Sequence, residues 1–208
     1  EKMGVECKLN TLVEKIEPTD KGVSISLKNG SGANLDFIVV GVGVQAASSI
    51  AEDAGIDCSN GILVDENCQT NDKNIYAAGD CVNYYYSRYG TRHRLESVQN
   101  AIDQAAIVSS SIVGEPIVYN STPWFWSDQY DLKLKIAGLS QESDSIVIRG
   151  KTEDLKFSAC HFKENKLIAV ECVNDQKTFM LGKKLIETES SITPEAMENT
   201  LTNLKDWR

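Results

Sequence analysis

The residues of this sequence that are best suited to chemistry are a glycine and an aspartate, Gly79 and Asp80, which close the segment TNDKNIYAAGD. Glycine has no side chain, so a phosphate chain can approach its backbone, and the adjacent carboxylate can accept a hydrogen bond from a sugar hydroxyl. We expect the pair directly after a strand at Asn74 to Ala78, where it would suit a ribityl or ribose diphosphate. A Gly-Asp pair alone also marks ordinary turns, so neighbouring segments must decide between the two interpretations.

Three segments, in this order along the chain, resemble one protein family. The first, Gly61 to Cys81, resembles the second flavin-binding stretch of the FAD-dependent pyridine nucleotide-disulfide oxidoreductase superfamily. The other two, Arg94 to Ala105 (RLESVQNAIDQA) and Thr122 to Leu134 (TPWFWSDQYDLKL), resemble the matching stretches of its ferredoxin, putidaredoxin and rubredoxin reductase branch. The resemblance covers nearly the whole chain, and its motifs are highly specific.

The resemblance implies a flavin site with two parts. Asp80 would hold the ribityl chain of FAD, and Gly79 would give that chain access to the backbone. The helix that opens at Ser97 and Val98 would present unpaired N–H groups and its positive dipole end to the pyrimidine edge of the flavin, which favours the charge that develops on reduction. An ordinary capped helix packed on the sheet is the alternative for this second part.

The resemblance also implicates Trp126 and Gly43. Trp126 matches the family tryptophan that borders the isoalloxazine, and it alternates with Trp124 in an extended segment, so both indoles should project to the same side. A core-facing aromatic pair is the alternative. Gly43 follows a continuous apolar run, Phe37 to Val40, which is typical of a buried parallel strand. The turn at Gly43 would lie beside the nicotinamide, and a tight strand exit that needs glycine is the alternative.

The function that the resemblance implies is hydride transfer from NAD(P)H to FAD, followed by single-electron transfer to a small ferredoxin or rubredoxin-like iron–sulfur protein. One alternative is an apoptosis-inducing-factor-like or redox-sensing flavin-binding protein. Another is an inactive, flavin-free fragment, because the chain contains no G-x-G-x-x-G turn for FAD or NAD(P). The residue that reads the ribose 2′ position would lie upstream, so the choice between NADH and NADPH stays open.

A local basic patch and an aromatic run lie between the Gly-Asp pair and the helix. Arg88, Arg92 and Arg94 could steer an acidic iron–sulfur partner electrostatically, and a solvated surface is the alternative. The aromatic run could be a wall beside the cofactor, an electron-exit surface, or packing within the loop. It consists of four tyrosines, Tyr84, Tyr85, Tyr86 and Tyr89.

Composition excludes several other classes of protein. A net charge of −9 over 208 residues argues against nucleic acid, which requires clustered Lys and Arg. The apolar runs are too short to cross a bilayer, and the cytoplasm is the expected location. The six cysteines have no metal-binding spacing, which predicts buried, reduced thiols and no metal. His93 and His161 lie outside any histidine-glutamate motif of the disulfide reductases, which disfavours that branch.

These observations predict an α/β fold in three parts. Residues 1–44 would be the end of a Rossmann-like NAD(P)-binding domain, with strands at 4–10, 12–19, 22–30 and 35–43. Residues 45–120 would be the second half of a Rossmann-like FAD-binding domain, with helices at 48–54 and 97–113. Residues 121–208 would form a small α+β domain, in which four strand-like runs between 132 and 173 precede a helical tail. The chain therefore resembles a fragment of a longer reductase.

Overall fold

A computed structural model describes residues 4–117, 119 and 121–207 of the chain. It divides into two compact units, residues 1–44 and residues 45–208. Within the described residues, no helix combines the length and the apolar character needed to cross a bilayer.

The first unit is a three-stranded antiparallel sheet with the order β1-β2-β3. Its strands are β1 (Val13–Thr19), β2 (Gly22–Leu27) and β3 (Gly32–Leu35). The turn after β2 contains Gly30, whose φ is +83° and whose N–H donates to the carbonyl of Leu27 at 2.9 Å. The first two of these strands and the Asn-Gly turn agree with the sequence pattern.

Two strand predictions in this unit are wrong, those for residues 4–10 and for the buried run Phe37 to Val40. Neither segment forms a strand, and the side chains of Phe37 and Val39 are 74% and 84% exposed. A buried strand needs neighbours for its N–H and C=O groups as well as apolar side chains, and no described strand pairs with this run. Gly43, which follows the run, has a φ of +90° and open space where a Cβ would stand.

The first half of the second unit contains a small sheet with the order β4-β5-β6. Strand β4 (Ile62–Leu63) is parallel to β5 (Val82–Tyr86), and β6 (Thr91–His93) is antiparallel to β5. Helix α1 (Ser49–Asp53) precedes the sheet and helix α2 (Val98–Ile112) follows it, as predicted. Their shared core contains the buried side chains Ala51, Ile56, Ile62, Val64, Cys68, Val82, Tyr84, Tyr86, Ile107 and Tyr119.

The predicted strand at Asn74 to Ala78 is also wrong. This segment makes only an isolated bridge, between Gln69 and Tyr76, and the extended strand begins after Asp80. Tyr84, Tyr85 and Tyr86 therefore lie in β5 instead of a loop, because β5 has partners on both sides, β4 and β6, whereas Tyr89 lies in the turn that follows. Gly79 and Asp80 therefore lie just before β5, which begins at Val82, and not at the end of a strand.

The second half of this unit is a five-stranded antiparallel sheet with the order β7-β8-β11-β10-β9. All four strand-like runs predicted between residues 132 and 173 are confirmed, and they match their hydrophobic alternation. The helical tail is confirmed by α3 (Gln176–Glu187) and α4 (Pro194–Glu198). The strands are β7 (Trp124–Gln129), β8 (Leu132–Gly138), β9 (Ser145–Lys151), β10 (Lys156–Lys163) and β11 (Lys166–Val173).

A buried arginine on β9 attaches the C-terminal segment to this sheet. The side chain of Arg149 is 8% exposed, and its guanidinium donates hydrogen bonds to four backbone carbonyl groups. Nη1 donates to Met197 at 3.0 Å and to Asn199 at 2.5 Å, and Nη2 donates to Thr200 at 3.2 Å and to Thr202 at 3.1 Å. The carbonyls of Met197 and Asn199 are at the end of α4, where they have no acceptor role within the helix, and those of Thr200 and Thr202 belong to the segment that follows.

Candidate cofactor site

The Gly79–Asp80 turn is fixed against helix α2. Gly79 is buried with a φ of +88°, and its N–H donates to Oε1 of Gln104 at 2.8 Å. A Cβ on Gly79 would stand 3.7 Å from the Cβ of Ala101, an ordinary contact, so the left-handed backbone conformation and not crowding requires glycine. The sequence predicts that the backbone of Gly79 is open to a phosphate. In the structure, however, its N–H already donates to Gln104 and is not available to a ligand.

The carboxylate of Asp80 is exposed and has no hydrogen-bond partner among the described residues. Its main chain, in contrast, is held in place: Nη1 of Arg94 donates to the carbonyl of Asp80 at 3.0 Å. The same Nη1 lies 2.5 Å from Oε1 of Glu96, the residue before the helix cap, and Nε donates to Asn60 at 3.3 Å. Arg94 therefore connects the turn to the start of α2 and leaves the carboxylate available to a ligand.

Helix α2 begins with a regular side-chain cap. Ser97 has extended backbone angles, and its Oγ accepts a hydrogen bond from the N–H of Asn100 at 3.2 Å. The first N–H groups of a helix have no acceptor within it, and the cap satisfies only one of them. The side chain of Val98 is 59% exposed at this end. The helix start therefore has donors for a ligand, as the sequence predicts. The regular cap agrees equally with the alternative, an ordinary capped helix packed on the sheet.

The tyrosine run forms part of the core beside α2. The hydroxyls of Tyr86 and Tyr119 donate to Oδ1 of Asn100 at 2.9 and 3.5 Å. Burial raises the pKa of Tyr84 to about 12 and raises the pKa of Tyr86 further, so both phenols are neutral. Only Tyr85, at the middle of the run, is exposed. Packing is therefore the interpretation that the structure favours for most of the run, and it supports the position of α2.

The arginines of the basic patch bind main-chain carbonyls within the chain. Nη1 of Arg88 donates to the carbonyl of Ile186 at 2.7 Å, and the side chain is only 16% exposed. Nη1 of Arg92 donates to the carbonyls of Val64 and Asn83 at 3.1 and 2.8 Å. Together with the contacts of Arg94, these bonds give the patch a structural role, and no observation supports the docking hypothesis.

The two tryptophans of β7 lie on one side of the strand, as predicted, with ring centroids 5.4 Å apart. Trp124 also contacts Phe179 of α3 at 6.0 Å between centroids, which places it against the C-terminal core. Trp126 is 41% exposed and is free to contact a planar ligand. The core-facing alternative therefore applies to Trp124 and not to Trp126.

An open cleft of about 240 Å³ lies between the start of α2 and strands β7 and β8. Ser97 and Trp124 both line it, whereas Gly79, Asp80 and Trp126 do not. The cleft brings one predicted site residue together with residues from the C-terminal sheet. Its other lining residues include Leu95, Glu96, Pro123, Gly138 and Glu171.

Sequence reasoning missed a histidine-glutamate pair, His161 and Glu171, of which Glu171 lines this cleft. His161 is 7% exposed, and its Nε2 lies 3.4 Å from Oε1 of Glu171, within ion-pair range but without hydrogen-bond geometry. The same oxygen accepts a hydrogen bond from Oγ of Ser140 at 3.0 Å. The pair arises from the antiparallel register of β10 and β11, in which His161 pairs with Ala169. No sequence motif signals it, because it depends on that register.

Three of the six cysteines are buried free thiols, as the sequence predicts: Cys68, Cys160 and Cys172. Burial raises the pKa of each of them to about 12. Cys7, in contrast, is exposed. Among the described residues, no group of three or more His, Cys, Asp or Glu side chains could hold a metal ion.

Thiol labelling of the folded protein should distinguish these cysteines. We expect Cys68, Cys160 and Cys172 to stay unmodified by iodoacetamide at pH 8, because a raised pKa keeps each thiol protonated and burial excludes the reagent. Cys7, which is exposed, should be labelled under the same conditions, while the three buried thiols stay protected. Peptide mass spectrometry measures each site, and labelling in urea is the control. Rapid native modification of a buried thiol would contradict this assignment.

Two known families match this chain. Residues 1–105 match the pyridine nucleotide-disulphide oxidoreductase family, and residues 124–208 match the reductase C-terminal family. Rhodocoxin reductase from Rhodococcus erythropolis is 39% identical over 203 residues, which are 97% of this chain and 48% of that protein. The chain spans about half the length of the curated relatives it matches.

Solved structures confirm the predicted α/β fold class. The ferredoxin reductase for the CYP199A2 system from Rhodopseudomonas palustris has a TM-score of 0.89 at 39% identity, over 94% of this chain and 49% of that one. The covalent putidaredoxin reductase–putidaredoxin complex has a TM-score of 0.94 at 31% identity, over 99% of this chain and 50% of that one. The three-segment resemblance of the sequence and these similarities agree.

Proposed function

Because the chain belongs to the pyridine nucleotide-disulphide oxidoreductase family, we propose that it is part of an NAD(P)H-dependent flavoprotein reductase. The complete enzyme takes a hydride from NAD(P)H onto FAD and passes electrons singly to a small iron–sulfur protein of ferredoxin or rubredoxin type. Relatives that are named as reductases of rhodocoxin and putidaredoxin support this class of acceptor. A cytoplasmic location is part of the proposal, because the six cysteines are free thiols.

The observation that carries this proposal is the connection between the Asp80 turn and the start of α2. Arg94 contacts the carbonyl of Asp80 and the carboxylate of Glu96, which directly precedes Ser97. One region, connected through Arg94, therefore presents both an exposed carboxylate without a partner among the described residues and a helix N-terminus with donors for a ligand. A carboxylate suits a sugar hydroxyl, and a helix N-terminus suits a carbonyl oxygen or developing negative charge.

These residues fit FAD in chemical type. Asp80 would hold a ribityl hydroxyl, the main chain at Ser97 and Val98 would donate to the pyrimidine edge, and Trp126 would border the ring. Bound FAD supplies the chemistry that amino-acid side chains lack, which is the acceptance of a hydride and the release of single electrons. The protein contributes position, electrostatics and the exclusion of water. Gly43 stays a proposal for the nicotinamide side, based on its glycine-requiring turn.

Anaerobic reduction of the complete protein tests this function. We expect the purified protein to contain FAD, NADH or NADPH to bleach the flavin absorbance, and an oxidised ferredoxin-type protein to restore it over repeated turnovers. Stopped-flow absorbance follows both half-reactions, and a mixture without the acceptor is the control. A long-lived complex of reduced flavin and nicotinamide that does not reduce the acceptor would instead favour a redox-sensing protein, and a protein without flavin would exclude both.

A further inference from the structure

Gln104 is a polar residue in the interior of α2 that is completely buried. Its Oε1 accepts the hydrogen bond from the N–H of Gly79 at 2.8 Å, across 25 positions of sequence. Its Nε2 has no hydrogen-bond partner among the described residues. The oxygen of this amide is therefore hydrogen-bonded, whereas its NH₂ group is a buried donor without an acceptor, which is unfavourable for folding.

A buried amide with an unpaired donor is an unfavourable choice for a helix that only packs on a sheet. An apolar side chain of the same size would avoid the cost of desolvating Nε2. The oxygen of Gln104 offsets that cost, because it satisfies the N–H of Gly79, which would otherwise be a buried donor without an acceptor. The Oε1 atom of Gln104 therefore has a structural role, which is to hold the Gly79 turn that precedes Asp80.

Two further contacts determine the position of the turn relative to the helix. Gly79 packs directly on α2, since a Cβ there would stand 3.7 Å from the Cβ of Ala101. On the exposed side, Arg94 holds the carbonyl of Asp80 at 3.0 Å. Gln104 makes the buried connection of this arrangement and Arg94 makes the surface connection. A side chain on the helix therefore determines where the backbone of Asp80 lies relative to the helix start.

We propose that Gln104 is a positioning residue for FAD. By fixing the turn at Gly79, it sets the distance between the carboxylate of Asp80 and the N-terminus of α2, so that ribityl and pyrimidine groups meet one preorganised surface. The role rests on the proposed function, because it concerns binding of the same cofactor. Gln104 acts through Gly79 and Asp80, and it has no contact with the reacting atoms.

The test compares FAD binding by variants of the complete protein. Gln104→Met keeps the length of the side chain and removes the acceptor, and we expect FAD affinity to fall about tenfold in fluorimetric titration of the apo-protein, the loss expected for one preorganising hydrogen bond. Gln104→Glu keeps an oxygen at the accepting position and should retain most of the affinity. Gln176→Met makes the same change at an exposed helical position and serves as the matched control.

A double-mutant cycle with Asp80→Ala separates positioning from general destabilisation. If Gln104 acts through the turn, Gln104→Met should weaken binding little once Asp80 is absent, since coupled residues are not additive. Hydrogen exchange of the peptide around Gly79 in the apo-protein should be faster in Gln104→Met and unchanged in Gln176→Met. Additive losses in the cycle, or wild-type affinity of Gln104→Met, would overturn the positioning role.

Two outcomes keep this proposal separate from the proposed function. If the wild-type protein binds no FAD, the proposed function fails and the positioning role fails with it. If the wild type binds FAD and reacts with NAD(P)H while Gln104→Met binds FAD equally well, only the positioning role fails. If Gln104→Met does not fold, Gln104→Asn is the second variant. Its side chain is one methylene shorter, so its amide oxygen no longer reaches the N–H of Gly79, and we expect the same loss of FAD affinity.

Discussion

Replacing Asp80 with alanine should weaken FAD binding by the complete protein about 10- to 100-fold. The carboxylate is exposed and without a partner among the described residues, while its main chain is held by Arg94, so the substitution removes a ligand contact and leaves the turn in place. A hydrogen bond to a charged group contributes about 1.5 to 3 kcal/mol, which corresponds to one to two decades of affinity. Quenching of FAD fluorescence on titration of the apo-protein measures the change.

Two variants serve as controls for this prediction. Asp80→Asn keeps an oxygen acceptor without the charge and should lose less affinity than Asp80→Ala. Asp53→Ala removes an exposed carboxylate at the end of α1, in the same half of the unit, and should bind FAD like the wild type. If Asp80→Ala binds FAD with wild-type affinity, Asp80 has no place in the site, and the Gly-Asp pair is an ordinary turn.

Replacing Arg149 with methionine should lower the free energy of unfolding of the C-terminal sheet by about 3 kcal/mol. The buried guanidinium donates to four carbonyl groups at the end of α4 and directly after it, and the substitution removes all four of these hydrogen bonds. The value is at the upper end for hydrogen bonds to one charged group. Urea denaturation followed by tryptophan fluorescence measures it, since Trp124 and Trp207 pack against this core.

The exposed Lys151 lies on the same strand, and Lys151→Met is the matched control, for which we expect a change within about 0.5 kcal/mol. Arg149→Lys should be intermediate, because one ammonium group cannot reach the four carbonyls that a planar guanidinium holds. If Arg149→Met lowers the free energy of unfolding as little as Lys151→Met does, the C-terminal segment is held by its apolar contacts alone.

Elements that depend on local periodicity were predictable from the sequence. The spacing of Val98, Ala101 and Ile102 predicted α2, and Ser97 supplies its cap. The strands between residues 132 and 173 followed from alternation and polar turns. These elements carry their own signal, because the side-chain periods of 3.6 and 2 are properties of the local backbone. The resemblance to a reductase family was also recognisable from the sequence, because each of its three motifs is a continuous segment of the chain.

Elements that depend on distant partners were predicted wrongly. Phe37 to Val40 has the composition of a buried strand, but no described strand pairs with it. Of the four tyrosines predicted to lie in a loop, Tyr84, Tyr85 and Tyr86 lie in β5, because β4 and β6 supply its hydrogen-bond partners. In both cases the outcome depends on a neighbouring strand, and composition does not report whether one is present.

The sequence by itself determined which residue types could form the site: a glycine, an aspartate, a helix start and a tryptophan. Only the tertiary structure decided how they are held, because Gln104 meets Gly79 across 25 positions and Arg94 meets Asp80 across 14. The same holds for His161 and Glu171, which the register of a hairpin brings together. Motifs are local in the chain, whereas hydrogen bonds between side chains and distant backbone depend on packing, which no local pattern encodes.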